Sequence, residues 1–277
     1  FDADPQYPDD SKYLSAAGYL EARFTPLKWL KIVPGVRYSY FAPDITLEDP
    51  TLGEVKVDDP IDDVTWAFHS LVKTGNYHGF VLGASRGFRV PTIDDLSKLG
   101  EEDDRFDVPN SELDPVTMIQ YELGYRVAHP RAFLSLFGYY SDIENKITRK
   151  PATYEGQSEI NGKPVYHNEN VGEAYIYGGE FSARFVPVED FLSFGGTTTY
   201  TFGQNETDDE PLRRIPPLMG NAWMRITVSP VWIEGAMDAA AAQDRLSEGD
   251  KEDYRIGQDP RLPGDETPAY TVYHIRV

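Results

Sequence analysis

The chain has 277 residues, 40% of them apolar and 13% aromatic, and 46 acidic side chains against 26 basic ones give it a formal net charge of -20. It contains no cysteine, which excludes disulfides, zinc–thiolate sites and thiol catalysis, and its negative charge argues against nucleic-acid binding. No stretch approaches the ~18 consecutive apolar residues of a membrane helix, which excludes a helical membrane protein but not a membrane β-barrel, whose strands alternate apolar and polar residues.

This alternation recurs along almost the whole chain, and its period of two predicts β-strands. We predict eleven strands, near residues 15–25, 30–42, 62–74, 78–88, 117–128, 132–148, 170–186, 191–203, 218–229, 231–242 and 268–277. Several exceed the usual soluble length of about five or six residues and reach the ~9–11 residues with which a tilted strand crosses a membrane.

The fifth predicted strand shows the pattern most clearly. Its apolar residues, which we expect to face outward, alternate with polar residues expected to face inward: Ile119, Tyr121, Leu123 and Tyr125 against Gln120, Glu122 and Arg126. A shift of register by one residue would place Glu122 and Arg126 in lipid, at a cost of ~2–4 kcal/mol for the arginine near the midplane.

The connections between these strands alternate in length. Short turns lie at about 26–28, 74–76, 128–130, 187–190 and 229–230, and long loops at about 43–61, 89–116, 149–169, 204–217 and 243–267. Because each strand reverses direction, every second connection emerges on the same side, so the long loops belong to one rim and the turns to the other. Tight turns at one rim and long loops at the other are typical of outer-membrane barrels.

Negative charge is concentrated in the long loops. Loop 89–116 carries nine acidic and three basic side chains, and loop 43–61 carries six acidic side chains and one lysine. This concentration weakens the interpretation of the charge as a uniform solubility or halophilic feature. We expect a negative outer rim that attracts cations and metal-loaded ligands, an attraction that salt at 0.1 M screens within ~10 Å.

Several motifs resemble those of the TonB-dependent outer-membrane receptors. Their Phe-Arg-Ala-Pro box, Asn-Pro-Asn-Leu box and Tyr-Glu-Leu-Gly strand resemble Phe88-Arg89-Val90-Pro91, Asn110-Ser111-Glu112-Leu113 and Tyr121-Glu122-Leu123-Gly124. Further similar motifs follow in family order within residues 137–144, 170–180, 199–203, 214–217 and 267–272. The order and spacing over residues 80–277 make the resemblance specific, although the first two boxes are variants.

The resemblance implies an all-β fold, a transmembrane up-and-down antiparallel β-barrel of 22 strands with a plugged lumen. Residues 1–277 are then expected to form a single partial barrel domain of about eleven of those strands, with the N-terminal plug domain and the terminal strands outside this chain. The resemblance further implies a monomer in the cell outer membrane that contacts outer-membrane lipid and, through the plug, TonB. It implies no enzymatic activity, no cofactor and no metal site.

The function that the resemblance implies is TonB-dependent active uptake of a scarce solute, above all a ferric siderophore or a similar small-molecule metal chelate. Cobalamin, haem and sugars are the other substrates of the family. Haem receptors of the family often have a histidine between the two boxes, whereas residues 92–109 contain none. The alternative hypothesis is a soluble or secreted acidic β-rich binding module without transport activity, in which a second sheet would cover the apolar face.

Four side chains in the outer loops are candidates for ligand contact: Arg89, His167, Arg213 and Arg214. Adjacent guanidinium groups suit a carboxylate or phosphate ligand, but Arg213 and Arg214 can also pair with acidic loops, and Arg89 can hold the base of its loop. Ten further charges are expected at the strands' inward face, where they line a substrate path, neutralise one another or bond the plug: Glu21, Arg23, Lys31, Arg37, Glu122, Arg126, Glu180, Arg184, Arg225 and Glu234.

Overall fold

The computed structural model describes residues 11–49, 53–102, 104–251 and 266–277. Its elements in chain order are β1 (Lys12–Glu21), β2 (Phe24–Leu27), β3 (Leu30–Asp49), β4 (Gly53–Val57), β5 (Ile61–Lys73), β6 (His78–Arg89), α1 (Ile93–Ser97), β7 (Gly100–Glu101), β8 (Phe106–Val108), β9 (Val116–His129), β10 (Ala132–Glu144), β11 (Ile147–Pro151), β12 (Glu159–Ile160), β13 (Lys163–Asn170), β14 (Ala174–Val188), β15 (Leu192–Asn205), β16 (Glu210–Pro211), β17 (Met219–Val228), β18 (Val231–Ala240), α2 (Glu248–Lys251) and β19 (Tyr270–Arg276). Neither described helix has the length or apolar character needed to span a bilayer.

Eleven long strands form one continuous antiparallel sheet in sequence order. The order is β1-β3-β5-β6-β9-β10-β14-β15-β17-β18-β19, with β2, β4 and β16 paired beside it. This confirms the predicted all-β meander of eleven neighbouring strands. The sheet is open, and β1 and β19 are its two edges.

The strand boundaries differ from prediction mainly at the outer rim, the end of the sheet that carries the long loops. β3 continues to Asp49 and pairs there with β4, whereas the sequence predicted a loop from residue 43. The strands predicted at 132–148 and 170–186 end at Glu144 and begin at Ala174, because β11 and β13 pair with each other in a second, smaller sheet. At the opposite end, the strand predicted at 15–25 divides into β1 and β2.

The two faces of the main sheet differ in chemistry as predicted. Directly paired residues of antiparallel strands share a face, and the register places Leu136 opposite both Tyr125 and Phe181. On this apolar face Tyr121 and Leu123 are 54% and 58% exposed, so no protein layer covers them. Gln120, Glu122 and Arg126 lie on the opposite, polar face, which confirms the predicted register of β9.

The polar face also holds the other predicted inward charges on the strands. Glu234, only 3% exposed, lies between Arg225 and Arg276, whose guanidinium nitrogens are 2.8 and 3.0 Å from its oxygens. Arg23 lies between β1 and β2 and pairs with Glu21 at 3.0 Å. Of the three roles expected for the inward charges, these residues therefore fit mutual neutralisation.

Aromatic rings form two belts on the apolar face. Near the outer rim, Tyr177 and Phe202 stack with ring centroids 4.8 Å apart. Near the turns, Phe185 and Phe194 meet edge to face at 5.5 Å. The eight residue steps from Tyr177 to Phe185 span about 20 Å in height for a strand tilted by roughly 40°. The spacing suits the apolar band of a membrane barrel, ~25 Å tall with an aromatic girdle at each interface.

The long loops pack together at the outer rim. Ile45, Val57, Leu96 and Leu113 form one buried cluster that joins loops 43–61 and 89–116, and β8 pairs in parallel with β13. The short turns meet at the opposite rim, where Arg131 and Glu189 are 3.6 Å apart. This confirms the predicted sorting of the connections. Residues 50–52, 103 and 252–265 of the loops lie outside the described part.

Candidate ligand-binding site

A cavity of about 630 Å³ lies close to the outer rim, at the ends of β1, β3, β5 and β6. Residues of these strands line it, and the start of loop 89–116, from Val90 to Ile93, forms its roof. Pockets of this volume, mostly apolar with a few polar groups, are typical of small-molecule sites. The cavity is therefore the strongest candidate for a solute-binding site on this wall.

Three aromatic rings define the apolar part of the cavity. Tyr13 of β1 and Phe41 of β3 have ring centroids 6.1 Å apart, and Phe41 meets Phe88 of β6 edge to face at 5.9 Å. Phe88 belongs to the Phe88-Arg89-Val90-Pro91 box, so the motif contributes a ring to the cavity while Pro91 and Thr92 contribute to its roof. Such ring pairs are favoured geometries that hold the wall rigid.

Two arginines reach the same cavity but differ in their partners. Arg86 donates two hydrogen bonds to the carboxylate of Asp63, at 2.6 and 2.9 Å, and a third to the Val64 carbonyl at 2.7 Å. Arg37 donates from Nε to the hydroxyl of buried Ser39 at 3.1 Å. Within the described ranges no carboxylate lies within 4.0 Å of the Arg37 guanidinium. The charge of Arg86 is neutralised in place, whereas that of Arg37 is available to a ligand.

Arg89, the first predicted site residue, holds the base of its loop. Its Nη1 lies 2.7 Å from Oδ2 of Asp95, and Asp95 also accepts a hydrogen bond from the Thr92 amide at 2.8 Å. Thr92 and Asp95 thereby form a capping box that begins α1. Burial acts to raise the pKa of Asp95, but the hydrogen bonds from Thr92 and Arg89 outweigh it and hold that pKa below its ordinary value.

We expect Asp95→Asn to destabilise this loop base in a pH-dependent way. Because the pKa is depressed in the folded state, the stabilisation is present above the unfolded value of about 3.9 and is lost as the pH falls through the folded value. Amide exchange of α1 should be faster in the variant at pH 7, and the difference should shrink below about pH 4. Asp94→Asn, at a carboxylate that is 57% exposed, is the control. An equal difference at both pH values would contradict this assignment.

His167, the second predicted site residue, lies on β13. Its Nε2 is 2.7 Å from a carboxylate oxygen of Glu169. It lines a separate cavity of about 590 Å³ with Val108, Pro109 and Pro151. A contact between His167 and a ligand stays a prediction.

Arg213 and Arg214 converge on one acidic residue of the neighbouring loop. Asp250 of α2 is 4% exposed, and its oxygens lie 3.5 Å from Nε of Arg213 and 2.9 Å from the backbone nitrogen of Arg214. For Arg213 this contact fits the alternative interpretation, in which the arginine pairs with an acidic loop, whereas Arg214 contributes only its backbone amide to it. The four predicted residues therefore lie on three different loops, and only Arg213 and Arg214 share a partner.

A buried carboxylate that the sequence did not single out joins two outer loops. Asp107 of β8 is 5% exposed, and its oxygens lie 2.9 Å from Arg105, 3.2 Å from Arg149 and 3.6 Å from Lys98. Lys98 also pairs with Glu102. Because Arg149 belongs to β11 and the other cations to loop 89–116, Asp107 links loop 89–116 to loop 149–169.

Comparison with known proteins supports the resemblance. The family model described as "TonB dependent receptor-like, beta-barrel" matches residues 1–277. Among solved structures, the chain is similar to the copper transporter OprC, with a TM-score of 0.74 and 16% identity over 96% of this chain and 40% of that one. It is also similar to the ferric-catecholate import receptor Fiu from K12 E. coli, with a TM-score of 0.65 and 14% identity over 96% of this chain and 38% of that one.

A third similar structure is the ferric yersiniabactin uptake receptor FyuA from Yersinia pestis, with a TM-score of 0.64 and 13% identity over 96% of this chain and 38% of that one. The chain thus spans about two fifths of the length of these structures. At such identities the likeness shows the fold alone. No curated protein matches the chain.

Proposed function

The chain belongs to the TonB-dependent receptors, a family of outer-membrane barrels, and from this membership we propose that it is the wall of a receptor for active uptake of a scarce solute. The solute we propose is a metal chelate such as a ferric siderophore. The observation that supports this most directly is the aromatic cavity at the outer rim, where the available charge of Arg37 lies beside three rings. The ends of these strands thereby offer a solute a site beside loop 89–116 at the outer rim.

The alternative of a soluble binding module is disfavoured by the apolar face. Large apolar side chains on it remain uncovered in the described part of the chain, among them Leu136 at 51% and Ile233 at 49% exposure. Contiguous apolar surface of this extent marks an interface with a membrane or a partner. Two aromatic belts at the spacing of a bilayer favour lipid.

The polar face supports the proposed partnership with a plug domain and, through it, with TonB. Glu122 and Glu180 line a cavity of about 240 Å³ beside Tyr139. His69, at 4.0 Å, is the nearest ion-pair partner of Glu122, and Glu180 forms no salt bridge within the described ranges. Since carboxylates turned toward a lumen favour a cationic neighbour, we propose that a basic side chain of the plug binds there.

Uptake experiments with the complete receptor test this function. A strain that lacks the receptor should regain growth on one metal chelate as sole iron source when the receptor is restored, and should fail to grow when TonB is removed. A panel of aryl, hydroxamate and citrate chelates with cobalamin would identify the class. If the acidic rim steers a cationic complex, raising the salt from 0.05 to 0.3 M should weaken its binding. Uptake of the panel at equal rates without the receptor would contradict the proposal.

A further inference from the structure

Resting on this proposed function, we propose that the 630 Å³ cavity recognises an aryl group through one of its anionic oxygens, as part of a metal chelate of low net charge. Phenolate and catecholate donors have this chemistry, whereas hydroxamate and citrate donors lack the ring. The inference names the part of the solute that the barrel wall binds. We assign binding of the rest of the solute to the loops and the plug.

The shape of the cavity supports an aromatic occupant. Its lining is largely apolar, and the rings of Tyr13, Phe41 and Phe88 follow one another along it. Aromatic pairs gain about 0.5–1.5 kcal/mol beyond their buried area when they meet edge to face or offset. A flat ring inserted beside these three rings gains this additional free energy of aromatic pairing. An aliphatic group of equal size does not.

The charges of the cavity support an occupant with one anionic oxygen. Arg86 is already bound through both terminal nitrogens to Asp63 and is not available. Among the described residues Arg37 donates only to the neutral hydroxyl of Ser39, and within those ranges its terminal nitrogens are left to donate to a ligand. A guanidinium group is planar and offers paired donors, and its hydrogen bonds to an anionic oxygen are about twice as strong as neutral ones.

The acidic outer rim limits the charge of the whole chelate. The chain's net charge of -20 is concentrated in the outer loops, so a strongly anionic complex is repelled before it arrives. That repulsion acts on the total charge at long range and is screened by salt, whereas Arg37 binds one oxygen at contact. A neutral or cationic complex with a single aryl oxygen at its edge satisfies both conditions.

Binding of simple iron complexes to the complete receptor in detergent tests the inference. The probes are ferric salicylate, ferric acetohydroxamate and ferric citrate, and the readout is quenching of intrinsic Tyr and Trp fluorescence. We expect ferric salicylate to bind most tightly. Arg37→Gln should weaken its binding by about ten- to a hundredfold, the range for loss of a charge-assisted hydrogen bond. Arg37→Lys should retain part of the affinity, and Phe41→Leu should cost about three- to tenfold.

Controls separate the possible outcomes. Arg131→Gln removes an exposed arginine at the opposite rim and should leave binding unchanged. Salicylate binding that is indifferent to Arg37→Gln, or preferred binding of ferric citrate or acetohydroxamate, would overturn the inference and leave the proposed function standing. Binding and uptake of no chelate at all would overturn the proposed function itself. If Arg37→Gln instead exposes the plug to protease without changing chelate affinity, the cavity is a plug contact and the inference is wrong.

Discussion

Asp107→Ala should loosen the cap formed by loops 89–116 and 149–169, with a loss of about 3 kcal/mol of stability at the outer rim. The substitution removes the carboxylate that lies within 3.6 Å of Lys98, Arg105 and Arg149. Side chains of Lys98 and Arg105 are 14% and 20% exposed, so water compensates their charges only in part. The parallel pairing of β8 with β13 spans only three residue pairs, and we expect it to be lost without this ionic link.

Amide exchange of β8 and β13, with limited proteolysis of the cap, measures this effect. Asp104→Ala is a matched control because Asp104 also pairs with Arg105 at 2.9 Å but is 78% exposed, and exposed pairs contribute about 0–1 kcal/mol. Asp107→Asn, which keeps a hydrogen-bond acceptor, should give an intermediate effect. Equal exchange in the Asp104 and Asp107 variants would show that the cap does not depend on the buried carboxylate.

The main sheet was predictable because the sequence signals that define it lie within single strands and single connections. Alternation within each strand fixes which residues share a face, and the length of each connection fixes the rim at which it lies. Tyr121, Leu123 and their polar neighbours obey this rule without reference to the rest of the chain. The second sheet was not predictable, because β8 has only three residues and because β8 and β13 come from different loops. They pair through contacts that the alternation of neither segment encodes.

The candidate site was less predictable than the fold for the same reason. The cavity joins Tyr13, Arg37, Phe41 and Phe88 from three strands that are far apart in the chain, and each residue alone has an ordinary strand pattern. Arg37 was predicted to face inward, but its availability follows from the pairing of Arg86 with Asp63, a contact between strands. The sequence therefore identified arginines in the loops as candidates, whereas the cavity that the structure shows is lined mainly by strand residues.

Thr198→Arg should destabilise the barrel, whereas Thr199→Arg should leave its stability nearly unchanged, although both place the same side chain at adjacent positions. Thr198 pairs with Phe181 and lies on the apolar face, halfway between Phe194 and Phe202 of the two aromatic belts. Thr199 pairs with Glu180 on the polar face. An arginine on the lipid side near the bilayer midplane costs about 2–4 kcal/mol, which corresponds to a loss of roughly thirty- to eight-hundredfold in the folding equilibrium constant. An arginine opposite Glu180 meets a carboxylate.

Urea titration of the complete receptor in lipid vesicles, followed by the shift between folded and unfolded bands on a gel, measures the difference. We expect a lower midpoint for Thr198→Arg and a midpoint near that of the wild type for Thr199→Arg. The wild-type residue and the introduced residue are the same at both positions, so intrinsic strand propensity, side-chain entropy and net charge cancel in the comparison. The remaining difference between the two variants is the environment of the arginine, which is lipid on one face and the polar lumen side on the other. Equal midpoints would mean that lipid does not cover the apolar face, and the two-faced wall on which the transport proposal rests would be wrong.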